Sequence, residues 1–501
     1  MKKLQIKKFD RGFYPNQDFD DVPDGGSPDC RHVFWRRSAL RPFPGMDRVN
    51  SSQVAQLTGQ GLHYMNVNGV QKRVAVFGTK FYEDVSGTWT DRTGAVVIGS
   101  GDLTQFIDHQ QGANKYLIGF PGNGNPPFKW TGAVNAAVLA GSPPNGETGA
   151  KYHNLVYTAV NEIVYFSDTG DPETWDLTNW AVPFEKDVKC LLEHGPKLAV
   201  LMEDHIGSLQ GYDYLDLVAE EREISTFGCV GKLAAKNCYF GNNDLKVIAT
   251  IARDGVWIFD ESFSGTKLLG NNYFDEFNQS YLSKSSMAYW RDENLLFLAL
   301  PYASSTQPNY LIIIDMKSGA FWPGPEIHGN YIRSLASMRD SNGDEFVYFQ
   351  DANGYAYKFN MDTTYYHTGT ATQGIDYRWK SRRLDLEDVH SLGELVMLAD
   401  ATGDWGVNVG LKFGLEKGDG SAGNINFWND NDVLTYSFVL GASTLGGSDY
   451  IFKVLSGVGG FGRFLEVTLL RERPNEVVDQ NFRVRRLEIH LHDHRRGGDD
   501  Q

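Results

Sequence analysis

Cysteine is scarce: Cys30, Cys190, Cys229 and Cys238 are the whole supply in 501 residues. Four thiols without CxxC spacing can neither staple a chain of this length nor build a zinc site, so they read as free thiols made in a reducing compartment. Long apolar runs are missing too. Stretches such as Leu295–Leu300 and residues 310–314 fall far below the roughly 20 apolar residues a bilayer helix needs, and no integral membrane segment is expected. The basic opening, residues 1–8, is not followed by the apolar stretch of a secretory signal, so no export signal is expected. No long segment keeps a 3.6-residue apolar period, and Gly interrupts nearly every candidate helix. GxSxG, HExxH, GxxxxGK and GxGxxG are all absent, which removes the common nucleophile, zinc-protease and phosphate-cradle signatures. No catalytic, cofactor-binding or metal residue is therefore assigned, and the chain is expected not to be an enzyme.

What is abundant points to sheet. Glycine supplies 54 residues, above the usual ~7% share, and aromatics reach 13%, a mixture produced by many tight turns between short aromatic-rich strands. With 41% hydrophobic residues the chain can bury a sizeable core, in two to four domains or in one large repeat architecture with an appendage. The net charge of −16 is uneven: residues 1–50 carry ten Lys or Arg against seven Asp, leaving 37 basic and 56 acidic residues for the rest. An acidic body repels nucleic-acid phosphates, which argues against a DNA reader yet suits a wall past which DNA must slide.

Self-similar segments begin near Lys72, Lys115, Asn154, Lys197, Asp244, Asn294 and Glu345, 39 to 51 residues apart. That spacing is close to the period of four-stranded propeller blades, and seven is the expected count. Hairpins are expected at Asp254-Gly255 and Asn353-Gly354, where a type I′ turn needs positive φ at both central residues, and again at Asn161-Glu162 and Lys317-Ser318-Gly319. Trp89, Trp130, Trp175 and Trp322 recur late in their repeats and are expected to pack between neighbouring blades. The fold class is all-β: a seven-bladed β-propeller over 61–372, an extended N-terminal arm over 1–60 rich in Pro, Asp and Gly, and a C-terminal β-sandwich over 373–501. The sandwich strands are read at 394–398, 407–411, 464–468 and 485–489.

Several constellations carry weaker chemistry. Residues 167–175, Ser-Asp-Thr-Gly-Asp-Pro-Glu-Thr-Trp, resemble the Asp-box of sialidase-like propellers but depart from its spacing and occur once, so a blade-edge turn is expected. His490, His492 and His494 alternate, which on a strand places three imidazoles on one face; a metal is conceivable, and a solvated edge is the plainer reading. Asp340-Ser341-Asn342-Gly343-Asp344 and Asn429-Asp430-Asn431-Asp432 have calcium-type oxygens without an EF-hand pattern and read as polar turns. Arg382-Arg383, Arg485-Arg486 and Arg495-Arg496 read as solvated or intersubunit faces.

Three phrases look familiar. Asp20-Asp21-Val22-Pro23-Asp24-Gly25-Gly26-Ser27-Pro28-Asp29-Cys30-Arg31-His32-Val33, followed by Leu40-Arg41-Pro42-Phe43-Pro44-Gly45, resembles the start of propeller-type virion proteins of tailed bacteriophages. Residues 164–175 are similar to their "aromatic, Ser-Asp, Gly-Asp-Pro, Trp" phrase. Residues 462–468 with 481–484 are similar to their closing strands. The resemblance is to the tail nozzle proteins of short-tailed phages. It implies a virion structural protein without turnover chemistry, a hexameric ring below the adaptor that continues the DNA channel, with adaptor and tail fibre or spike proteins as partners. Viral DNA would pass without sequence-specific contact, and assembly would occur in the host bacterial cytoplasm before lysis. The alternatives are a propeller-type glycan-binding or glycan-cleaving protein, a tail hub or fibre-attachment subunit, and an intracellular scaffold that binds a peptide.

Overall fold

The computed structural model describes residues 2–15, 17–18, 20–55, 58–67, 70–112, 114–132, 134–212, 216–222, 227–326, 331–361, 365–368, 371–374, 376–400, 405–414, 421–429, 450–456, 461–471 and 483–493. Among these the protein is nearly all strand. A four-residue helix at Asn271–Phe274 and a 3-10 turn at Gln279–Lys284 are the helical pieces. No helix among the described residues is long and apolar enough to cross a membrane. Two compact units divide the chain: a repeat unit of residues 48–319 and 326–359, and a terminal unit of residues 1–47, 320–325 and 360–501.

The repeat unit carries seven antiparallel sheets in which the chain runs from one strand to its neighbour, except that Gly45–Arg48 supplies the outermost strand of the seventh. Their first strands are Gly59–Val67, Gln105–Gln111, Thr148–Tyr152, Val188–His194, Ala235–Phe240, Ser286–Trp290 and Ser334–Arg339. Each first strand touches the first strand of the next sheet, and Ser334–Arg339 touches Gly59–Val67, so the order is cyclic. The repeat marks all fall at the second strands. Lys72 lies in Val70–Phe77 and Lys115 in Asn114–Phe120, Lys197 and Glu345 open their strands, and Asn154, Asp244 and Asn294 each immediately precede theirs.

Meander sheets of this kind bury an apolar face against the next sheet, and the aromatic side chains fill that space. Trp130 packs with Val74, Val76 and Phe81 of the first sheet, its ring 5.4 Å from Phe81. Trp89 packs with Met338 and Tyr348 of the seventh, and Trp175 lies against the cluster of Ile118, Phe120 and Val156 between the second and third. Trp322 is buried as well. Each fully buried side chain of this size removes enough apolar surface to contribute about 1.5–3 kcal/mol.

Polar side chains stitch the inner edges. Gln350 accepts from Gly61 N (3.0 Å) and donates to Val76 O (3.0 Å), tying the seventh sheet to the first. Gln105 Oε1 receives Thr148 Oγ1 (2.6 Å) and Gly149 N (3.1 Å), and Thr148 Oγ1 in turn receives Leu191 N (3.1 Å). The chain entering the first sheet also closes the seventh: Val49 N donates to Ala356 O, Asn50 Oδ1 accepts from Ala356 N (2.8 Å), and Asn50 Nδ2 donates to Gly354 O (3.1 Å).

The turns depart from expectation in detail. Ala252 pairs with Gly255, so Arg253 and Asp254 form the loop, and Gly255 is the first strand residue instead of a turn centre. It must be glycine because its φ is +150° and a Cβ would collide with the Leu269 carbonyl. Asn161 takes φ +51° in its two-residue loop, while Gly354 takes φ +80° beside Asp351, whose carboxylate caps the amides of Asn353 and Tyr355 (2.8 Å each).

The terminal unit gathers both ends of the chain into one eleven-stranded sheet. Residues 2–6 do not lie apart but pair with Val484–Asp493, and Asp29–Arg31 pairs with Tyr377–Lys380. The strands read at 394–398, 407–411, 464–468 and 485–489 lie inside longer ones, Leu384–Asp400, Trp405–Gly414, Phe461–Arg471 and Val484–Asp493. Phe9 seats edge-on against Trp379 at 4.7 Å, within a core that includes Leu465, Leu469, Leu487 and Ile489.

Candidate functional site

In a cyclic array of meanders, first strands begin at the same end where second strands finish. The segments leading into the first strands therefore meet the hairpins between second and third strands around one cavity. That cavity, of about 570 Å³, belongs wholly to the repeat unit. Its charged lining is Asp102, Glu147, Lys189, Lys232, Lys284 and Arg333 from the leading segments and strand starts, with Glu203 and Arg253 from the hairpins of the fourth and fifth sheets.

Lys232 is buried and its Nζ pairs with Asp102 Oδ2 at 2.9 Å, while Asp102 Oδ1 accepts Leu103 N at 2.8 Å. Both groups press on Gly122, where φ is +73° and a Cβ would meet the Asp102 carboxylate and the Lys232 ammonium. Arg253 Nε pairs with Glu203 Oε1. Arg333 is 5% exposed and donates to Gly59 O (3.3 Å) of the adjacent first sheet and to Gly101 O (3.5 Å) in the segment that leads into the second. Burial holds its guanidinium below the ordinary arginine value. Lys284 donates to Thr306 O (3.2 Å), with Nζ 4.9 Å from the Tyr281 ring. Burial, then the positive charge of Arg333, lowers its ammonium pKa.

Five cations and three carboxylates line this space, so the acidic excess of the chain lies elsewhere. Sequence reasoning singled out none of these residues. A signal was present: from the second sheet to the seventh, one charged side chain (Asp102, Glu147, Lys189, Lys232, Lys284, Arg333) recurs near the start of each first strand, yet isolated charges on a polar background form no motif.

The constellations named from the sequence separate. Ser167-Asp168-Thr169-Gly170-Asp171 is a tight hairpin with Gly170 at φ +75°, and Trp175 Nε1 donates to Pro172 O at 2.8 Å. Asp340 Oδ1 caps Asn342 N (2.8 Å) and Asp344 N (3.2 Å) in a polar turn. His490 and His492 share one face of Val484–Asp493, opposite the buried Leu487, Ile489 and Leu491, and His490 Nε2 stands 3.8 Å from Glu488. His494 lies outside the described residues, as do Asp430, Asn431, Asp432, Arg495 and Arg496. No group of three metal-ligating side chains occurs among the described residues. Arg382 pairs with Asp24 (2.7 Å), and Arg383 pairs with Glu466 (3.3 Å) and Asp20 (3.8 Å). Arg486 pairs with Glu488 at 3.0 Å. All four cysteines are unbridged and buried; burial and the Asp29 charge push the Cys30 thiol up, and burial pushes Cys238 up to about 12.

Serial meanders in cyclic contact define a propeller-like fold. No protein-family model matches the chain, and no curated protein matches it. Solved structures with a similar trace include virginiamycin B lyase from Staphylococcus aureus, at TM-score 0.43 and 8% identity over 63% of this chain and 98% of that one. A streptogramin B lyase is similar at TM-score 0.43 and 11% identity, over 63% and 97%. The computationally designed Ika8 protein is similar at 0.36 and 13%, over 62% and 99%.

Proposed function

We propose that this chain is a structural subunit of a bacteriophage tail, the nozzle of a short tail, which assembles as a hexameric ring through which viral DNA leaves. In this reading the seven sheets are the seven blades of a propeller. The C-terminal strands form a sandwich by folding one sheet over at Leu386–His390, where Glu387 has φ +67° and the register shifts between Asp385 and His390. Adaptor and fibre or spike proteins are the neighbours, and the location is the virion tail, assembled in the host cytoplasm.

The observation that carries the reading is where the resembling phrases lie. The opening phrase supplies Asp29–Arg31 and Ala39–Pro42, and the closing phrase supplies Phe461–Arg471 and the start of Val484–Asp493. More than 400 residues apart in sequence, they meet in one sheet: Trp379 pairs with both Cys30 and Leu469, and Val484 pairs with Leu40. The opening and closing phrases that resemble virion proteins thus meet in one sheet, while the third, residues 164–175, lies in the third sheet of the repeat unit; the meeting of the first two supports a common assembly role. The unbridged, buried thiols fit manufacture in a reducing cytoplasm.

Native mass measurement and particle imaging of the purified full chain test the proposal. A ring of six 56.1 kDa copies with a central hole is expected, alone or on the purified adaptor. A monomer that hydrolyses a sugar polymer with turnover, abolished by one carboxylate-to-amide change, would overturn it.

A further inference from the structure

The cavity of the repeat unit holds more positive charge than its own carboxylates neutralise. Asp102 is paired with Lys232 and Glu203 with Arg253, while Lys189 stands 3.4 Å from Asp187. Glu147 is exposed and makes no ion pair. Arg333 and Lys284 have only backbone carbonyls as partners. The Arg333 side chain is nearly fully buried, lines the cavity, and keeps Nη1 without a hydrogen bond. Lys284 lines the same cavity as Arg333, and burial, then the Arg333 charge, lowers its pKa.

Two like charges that line one cavity repel each other unless a counter-charge completes the arrangement. An anion between them would receive charge-assisted hydrogen bonds from a guanidinium edge and an ammonium. Two cations with free N–H donors around one space match the three acceptor oxygens of a phosphoryl group more fully than the two of a carboxylate, and their charge exceeds the single unpaired carboxylate of Glu147. The cavity volume of about 570 Å³ falls in the range of organic-ligand sites and is larger than a bare phosphate ion requires. Gln279, Ser280, Ser283 and Gln307 add amide and hydroxyl donors around it.

We propose that this cavity is a binding site for a phosphoryl-bearing small molecule, whose phosphate group is held between Arg333 and Lys284. The site does not depend on the tail reading, since every residue named belongs to the repeat unit. Calorimetric titration of the full chain with inorganic phosphate, adenosine monophosphate and succinate tests it. Saturable binding of phosphate is expected, weakened about tenfold or more by Lys284→Gln and restored by Lys284→Arg, with the thermal midpoint of the unliganded protein unchanged. Arg333→Lys should weaken binding less than Lys284→Gln if charge dominates. Tighter binding of adenosine monophosphate identifies an organic phosphate as occupant, and equal binding identifies the free ion; both support the site. No saturable binding of either phosphate, binding indifferent to Lys284→Gln, or succinate binding as tightly as phosphate would each overturn the proposal.

Discussion

His109 shows how burial sets a single residue's chemistry. It sits on the first strand of the second sheet, 2% exposed, its ring 5.4 Å from Tyr116 and both ring nitrogens without hydrogen bonds. Desolvation, then the charge of Lys151, lowers its pKa to about 4, against 6.5 when exposed. The folded protein therefore favours the neutral ring. This contribution to stability is complete above pH 6.5, declines as pH falls, and is lost below about 4. His109→Phe should reduce the stability difference between pH 7 and pH 4 by about 1–3 kcal/mol, read from urea midpoints at the two pH values. Alternation in the sequence placed this residue on a strand. Its neighbours Lys151 and Tyr116 come from two sheets, and that proximity is invisible in one dimension.

At the scale of the element, Gly122 joins a turn to a buried ion pair. Its left-handed backbone and the Asp102–Lys232 pair leave no room for a methyl group. Gly122→Ala should cost about 2–4 kcal/mol, seen as a lowered thermal midpoint, because it combines backbone strain with displacement of a buried pair. Turn residues act locally, so Asn161 and Gly354 adopt positive φ where their residue type predicts it, although Asn353 does not and residues 351–355 form a longer loop between the paired Gln350 and Ala356. Asp254-Gly255 was misplaced by one position, because the collision that demands glycine comes from Leu269 on the adjacent strand. The segment 1–47 was illegible for a related reason. Its short, Pro-interrupted strands form one local hairpin, Val33–Arg36 with Ala39–Pro42, but Lys2–Ile6, Asp29–Arg31 and Leu40 also pair with residues beyond 376.

At the scale of the whole molecule, closure is the decisive event. Asn50 is 2% exposed and its side chain satisfies Ser52 O (2.7 Å), Gly354 O and Ala356 N, joining the first residues of the repeat unit to its last strand. Asn50→Ala would leave buried backbone groups without partners and should cost about 2–4 kcal/mol. Amide exchange should rise first in residues 48–54 and 354–356, which mass spectrometry can localise. Such a change loosens the seam without touching any sheet interior. The proposed ring of six chains belongs to this scale as well, and native mass measurement of the full chain reads it directly.

The sequence by itself determined the strand content, the positions of seven repeats and the aromatic side chains between sheets, because alternation, turn chemistry and side-chain volume are properties of neighbouring residues. Tertiary structure alone decided which charges converge in the cavity, that Arg333 and Lys284 face a common space, and that the two chain ends share one sheet. Those outcomes depend on pairings across tens to hundreds of residues, where burial and electrostatics act through space and leave no local trace.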